Sequence, residues 1–229
     1  MPGAAVKPVH AGIDGMQVGN TPVVLPYDVD RFPFRRLMAT HLCVGSLEMV
    51  HTRFGAPTIT PNNDQETALH RAMYRVGEEF HAVYRSFVRD WLQPLVGEPV
   101  VFQAVPSFRY QSPGTVAVGR WHRDSDFGHA PAEMNIWVPL TTTERSSAVW
   151  IESAPGAQDY APVPVPHGSA MLFDAVSLKH GNVENVSGKT RVSFEFRVVR
   201  ESCYEARSEV SLKQRKAFRL GDYFDKLAR

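Results

Sequence analysis

Two cysteines, Cys43 and Cys203, are all that 229 residues contain. They lie far apart with no C-x-x-C and no metal-ligand spacing, so they do not read as a disulfide framework or a zinc site but as free thiols in a reducing cytosol. Excess charge is missing as well. The 25 basic and 24 acidic residues leave a net charge of +1, with no basic stripe, so no nucleic-acid partner is expected. No run approaches the roughly 18 consecutive apolar residues of a membrane span. Residues 1–20 lack an apolar segment behind a basic start, so no secretory signal is expected either. Internal repeats and low-complexity tracts are absent. The expectation is a cytoplasmic protein folding as one domain, since single β-barrels and sandwiches reach roughly 200–250 residues.

What is present changes character along the chain. The first twenty residues read as loosely structured, and Thr21 to Tyr27, with two prolines, as a short edge strand. Ala39 to Val50 fits helix or strand. From Asn63 to Leu95, apolar residues including Leu69, Met73, Val76, Phe80, Tyr84, Phe87 and Trp91 recur at helical spacing, which predicts one long helix or two in series. Asn63 and Glu66 resemble a capping box, and Pro94 with Gly97 supplies the stop. His70 and His81 are expected to be partly exposed structural residues. Beyond Gly97, short β-branched and aromatic runs alternate with turn residues. The strand candidates are Val101 to Tyr110, Thr115 to Asp124, Met134 to Leu140, Ala148 to Glu152, Ser169 to Asp174 and Thr190 to Arg200. Helices first and strands second predict an α+β arrangement with the helix on the outer face of an antiparallel sheet.

The last of these strands carries the functional argument. Arg191, Ser193, Glu195 and Arg197 share one face, and Val192, Phe194, Phe196 and Val198 the other. A buried row of charged side chains is expensive unless paired or liganded, so the polar face is expected to border a site. Upstream, His122 and Asp124 would point to one side of a strand, half of a metal centre. His180 would complete a face of two imidazoles and a carboxylate, the donor set of non-haem Fe(II) sites. The fork of Arg191 would match an anionic cosubstrate.

The order Trp121-His122-Arg123-Asp124, Ser169 to Asp174, His180-Gly181-Asn182 and Thr190-Arg191-Val192-Ser193-Phe194 resembles the Fe(II)- and 2-oxoglutarate-dependent dioxygenase superfamily. His122 to Met134 and His180 to Phe196 resemble, more narrowly, the branch of StrG-type antibiotic-biosynthesis proteins. The resemblance covers Val101 to Val199 well and the amino-terminal third weakly. It implies a double-stranded β-helix, or jelly roll, over 100–200, with helical support over 1–99 and a tail or lid over 201–229. It also implies Fe(II) on His122, Asp124 and His180, with 2-oxoglutarate chelating the iron and its distal carboxylate paired with Arg191 beside Ser193. Asn135 could bind the cosubstrate too, if its face is the inward one. With O2, decarboxylation to succinate and CO2 would drive hydrogen abstraction from a substrate. Halogenases of this superfamily replace the carboxylate ligand with a small residue, whereas this chain keeps Asp124, so the resemblance favours hydroxylation. Desaturation and ring closure use the same chemistry.

Around this centre, Arg109, Arg197, Trp137 and His129 are candidate substrate contacts, each with a structural alternative: ion pairing for the arginines, core packing for Trp137, a surface position for His129. Asp126 continues the alternation but is expected to be carried away by a bend. The charged tail from Glu201, with Tyr204, Leu212, Phe218, Leu220, Tyr223, Phe224 and Leu227, could be a helix over the mouth or the contact of a homodimer. The substrate class expected is a small metabolite of secondary metabolism: an amino acid, amino sugar or peptidyl intermediate. A cupin-like metal enzyme that uses no 2-oxoglutarate would need no Arg191, and a non-catalytic binding module would have lost a ligand.

Overall fold

The computed structural model describes residues 21–211 and 214–228, so the expectations for the first twenty residues and for Leu212 fall outside it. In chain order the elements are β1 (Val23–Pro26), α1 (Phe34–His41), α2 (His51–Phe54), α3 (Ala68–Met73), α4 (Glu78–Phe87) and α5 (Gln93–Val96), then β2 (Val100–Gln103), β3 (Ser107–Gln111), β4 (Met134–Pro139), β5 (Val149–Ile151), β6 (Ala161–Val163), β7 (Ser169–Phe173), β8 (His180–Gly181), β9 (Arg191–Arg200) and β10 (Phe224–Lys226).

The helical stretch is two helices in series. α3 begins at Thr67, whose hydroxyl accepts from the His70 N–H. Asn63 instead holds the preceding turn, its side-chain oxygen accepting from the Thr60 N–H at 2.7 Å, so the capping box expected there is not formed. Gly77 opens α4, which runs through a π turn, Val88–Leu92, into α5. Pro94 sits just past that turn, where the missing N–H and the bulk of its ring are accommodated by the wider winding. Gly97 ends the helix at φ +79°, a left-handed conformation that suits glycine. His70 is fully buried against Tyr110, contrary to the partial exposure expected of it.

The strands build two antiparallel sheets, a large one ordered β1-β7-β4-β9-β2-β10 and a small one ordered β6-β5-β8. Strand β1 is indeed an edge. The run predicted as Val101 to Tyr110 divides at Pro106 into β2 and β3, which lie end to end along β9. The registers set the faces. Asn135 opposes Arg197, Trp137 opposes Glu195, and Arg109 opposes Ser193, so these side chains point to one side with Arg191. The reverse side of β9 presents Phe194 and Phe196 to Phe34, Phe80, Tyr84 and Phe87 of the helices. The expected α+β layering, helices outside and a polar face within, is what forms.

Among the described residues of the tail the only helical piece is a 3-10 turn, Glu201–Cys203. The rest is an extended wrap that buries Phe218 against Val101, Val199 and Tyr223 and ends as β10 on the edge of β2. Both cysteines are exposed free thiols, and no helix among the described residues is long and apolar enough to cross a membrane.

Candidate metal centre

The segment predicted as a strand from Thr115 to Asp124 is irregular, so period-2 alternation is not what aligns His122 with Asp124. A backbone bridge does half of it: His122 N–H donates to His180 C=O at 3.0 Å, and His180 N–H returns to His122 C=O at 2.9 Å. The two rings therefore sit side by side, centroids 4.5 Å apart. Asp124 starts a 3-10 turn, Asp124–Phe127, that ends at Gly128 with φ +85°. Its N–H is tied to Ala175 C=O at 2.8 Å. Asp126 accepts from the Arg123 N–H at 3.0 Å and so caps this turn, away from the centre as expected.

Each imidazole is oriented by its own neighbour. Nδ1 of His122 lies 3.0 Å from Arg120 C=O, and Nδ1 of His180 2.9 Å from Leu178 C=O. A carbonyl only accepts, so Nδ1 carries a hydrogen in both rings, and Nε2 is the nitrogen whose lone pair a neutral ring offers. Those lone pairs lie 3.8 and 3.9 Å from Asp124 Oδ1. Ligand atoms of all three residues fall within 4.8 Å of one another, close enough to share one ion. Burial, followed by the neighbouring His180, pushes the His122 ring down to about 3, so it is neutral and ready to ligate at pH 7. Burial alone would raise the Asp124 carboxyl, but Arg197 and then the nearby imidazoles override it and hold it well below the usual carboxylate range.

The three residues stand between two cavities. The outer cleft, about 270 Å³, is lined by His122, Asp124, Arg109, His129, Arg197 and Tyr223, with Ser211 and Gln214 of the tail completing its wall. The inner crevice, about 20 Å³, lies between His122, His180, Trp137, Phe173 and Arg191. Arg191 is fully buried and lies 5.4 Å over the Trp137 ring. One of its nitrogens donates to Ser147 C=O at 3.1 Å, while Nε has no partner. Burial pulls its guanidinium down to about 9, still charged at pH 7. Ser193 Oγ and both amide atoms of Asn135 are buried without partners on the same face. Polar atoms are seldom left so in a native interior, and here their chemistry fits an anion with hydrogen-bonding oxygens.

The other candidates are placed as follows. Arg109 is committed to Asp64 at 2.5 Å and to Glu195 at 3.4 Å. Arg197 borders the cleft, but its fork grips Asp124 and Glu195. Trp137 packs with Met171 and Phe173 as floor for Arg191. His129 is no surface residue: its Nδ1 lies 2.5 Å from Glu133, and its ring packs on Phe218 and Tyr223. Sequence reasoning missed Asp64 and Glu133, which carry no motif, and the need for Gly181. A Cβ there would lie 2.6 Å from the Trp121 ring, which precedes His122.

No protein-family model matches the chain. The streptomycin biosynthesis protein StrG of Streptomyces griseus is 36% identical over 201 residues, covering 88% of this chain and 96% of StrG. Among solved structures, the non-haem α-ketoglutarate-dependent carbocyclase SnoK from nogalamycin biosynthesis superposes with a TM-score of 0.51 at 13% identity, covering 90% of this chain and 92% of SnoK. The corresponding epimerase SnoN gives 0.51 at 14% identity, with 91% and 94% covered. At such identities these two likenesses speak for the fold. By its identity to StrG across nearly the whole length of both proteins, the chain belongs to the StrG family, built on the fold of the non-haem α-ketoglutarate-dependent enzymes.

Proposed function

We propose that this protein is an Fe(II)- and 2-oxoglutarate-dependent oxygenase of natural-product biosynthesis that hydroxylates a small metabolite. The observation that carries this reading is the convergence of two Nε2 lone pairs and Asp124 Oδ1 beside a crevice holding a buried guanidinium. Among the described residues, no carboxylate lies within ion-pair reach of Arg191. Its fork awaits an anion, and Ser193 and Asn135 offer further polar atoms on that face. The two sheets would be the walls of a jelly roll, with the centre between them.

When bound, iron with 2-oxoglutarate and O2 would supply oxidation of a C–H bond, with succinate and CO2 as coproducts. This chain's residues do the rest. His122, Asp124 and His180 would hold the ion from one side. Arg191, backed by Trp137, would orient the cosubstrate. The outer cleft suits a small molecule, and the tail residues in its wall would help keep water from the reacting bond. Asp124 fills the place that a halide would need, which favours hydroxylation over halogenation. SnoK and SnoN show that one fold serves ring closure and epimerisation, so the reaction class rests on the substrate's placement in the cleft.

The test needs no substrate. Anaerobic Fe(II) protein titrated with 2-oxoglutarate is expected to develop the weak visible charge-transfer band of the chelate. Asp124→Ala and Arg191→Ala should abolish it or shift it to much higher cosubstrate concentration. Iron bound without any such band would refute 2-oxoglutarate dependence.

A further inference from the structure

The second carboxylate oxygen of Asp124 is spoken for. Oδ1 faces the two histidines, while Oδ2 accepts two hydrogen bonds from one guanidinium, at 2.9 Å from Arg197 Nε and 2.8 Å from Nη2. Both partners are buried. Arg197 is held in turn: its Nη1 donates to Glu195 Oε1 at 3.3 Å, and its backbone N–H to Gln103 Oε1 at 3.3 Å. Glu195 accepts from Arg109, which is anchored on Asp64. A chain of alternating charge thus runs Asp64, Arg109, Glu195, Arg197, Asp124, and its last link ends on a proposed metal ligand.

We propose that Arg197 is a positioning residue that restricts Asp124 to ligation through Oδ1 alone. The inference rests on the reading of His122, Asp124 and His180 as a metal centre. A carboxylate free to rotate can present both oxygens to an ion and occupy two coordination positions. The fork of Arg197 fixes the plane of the Asp124 carboxylate and occupies Oδ2, so a position that a chelating carboxylate would fill stays open for ligands from outside. Lysine cannot reproduce this, because an ammonium offers a point charge where the guanidinium offers two parallel N–H groups.

Cobalt(II) titration of metal-free protein tests it, read by the constant and by the visible spectrum of the bound ion, with unfolding of the metal-free forms as a control. Arg197→Met is expected to loosen Co(II) by about ten- to a hundredfold, as loss of a ligand's outer partner does. The spectrum should change as Asp124 gains its second oxygen. Arg197→Lys should fall between, with the altered spectrum. A wild-type spectrum in a folded Arg197→Met overturns the proposal whichever way the constant moves, because it leaves Asp124 ligating as before and marks a merely structural role. Should Arg197→Met fail to fold, Arg197→Lys decides by the same two readings. If the wild type binds no Co(II), or His180→Ala binds it equally well, it is the metal-centre reading that fails, and this inference with it.

Discussion

His122 shows what burial does to one residue. Its ring is neutral at pH 7 because desolvation, seconded by His180, lowers its pKa from a usual 6.5 to about 3. An unfolded chain takes up that proton near 6.5 and the folded one refuses it until about 3. For a base depressed in this way, stability is complete above about 6.5 and falls as the pH drops through that window, at about 1.4 kcal/mol per pH unit. Asp124 acts lower down, contributing stability above the ordinary carboxylate value that is lost below it. Metal-free protein should therefore lose about 2 kcal/mol through His122 between pH 6.5 and 5. Urea midpoints with chelator present measure this, and His122→Asn, which cannot titrate, should shrink the loss by that amount. An identical slope in wild type and variant would mean that the ring is wetter than the fold shows.

At the scale of elements, β9 does two jobs with two faces. Its aromatic face meets α1 and α4, where Phe194 packs within 4.9 Å of Phe34 and 5.6 Å of Phe80, centroid to centroid. Its polar face carries Arg191, Ser193, Glu195 and Arg197. Phe194→Ala should cost about 3–5 kcal/mol of stability through the cavity it leaves. Co(II) affinity of the folded fraction should stay at the wild-type value, because the change lies on the far side of the sheet. A parallel loss of affinity would show that the helices also tune the centre. This two-faced strand was legible in the sequence because alternation over ten residues has a fixed consequence; of the helices that cover it, α4 was legible from its 3.6-residue period and α1 was not. The alignment of His122 with Asp124 was foreseen for a reason that does not hold. A backbone bridge to His180 and a 3-10 turn bring them together, and such long-range pairings leave no periodic signal. Arg197 could be assigned to the inward face but not to Asp124, since which carboxylate a guanidinium meets across a fold depends on register between strands far apart in sequence.

Across the whole molecule, the tail joins what the sheets leave open. Phe218, Tyr223 and Phe224 make a cluster with Val101 and Val199, apart from the main core under the helices. From it Arg207 reaches back to Glu133, the partner of His129, and Tyr223 lines the outer cleft. A segment anchored through its own small cluster can open without the rest. Phe218→Ala removes the ring at its centre, which also carries the Arg207 guanidinium at 4.7 Å. The expected result is local: faster hydrogen exchange in β10 and the facing edge of β2, and faster proteolytic cleavage between residues 205 and 222. The global unfolding midpoint should fall less than for Phe194→Ala. With Tyr223 loosened, the cleft should admit water more freely, read as succinate formed without oxidised substrate if the enzyme acts as proposed. A single cooperative loss of stability equal to that of Phe194→Ala, with exchange unchanged in β10, would instead make the tail an inseparable part of the core.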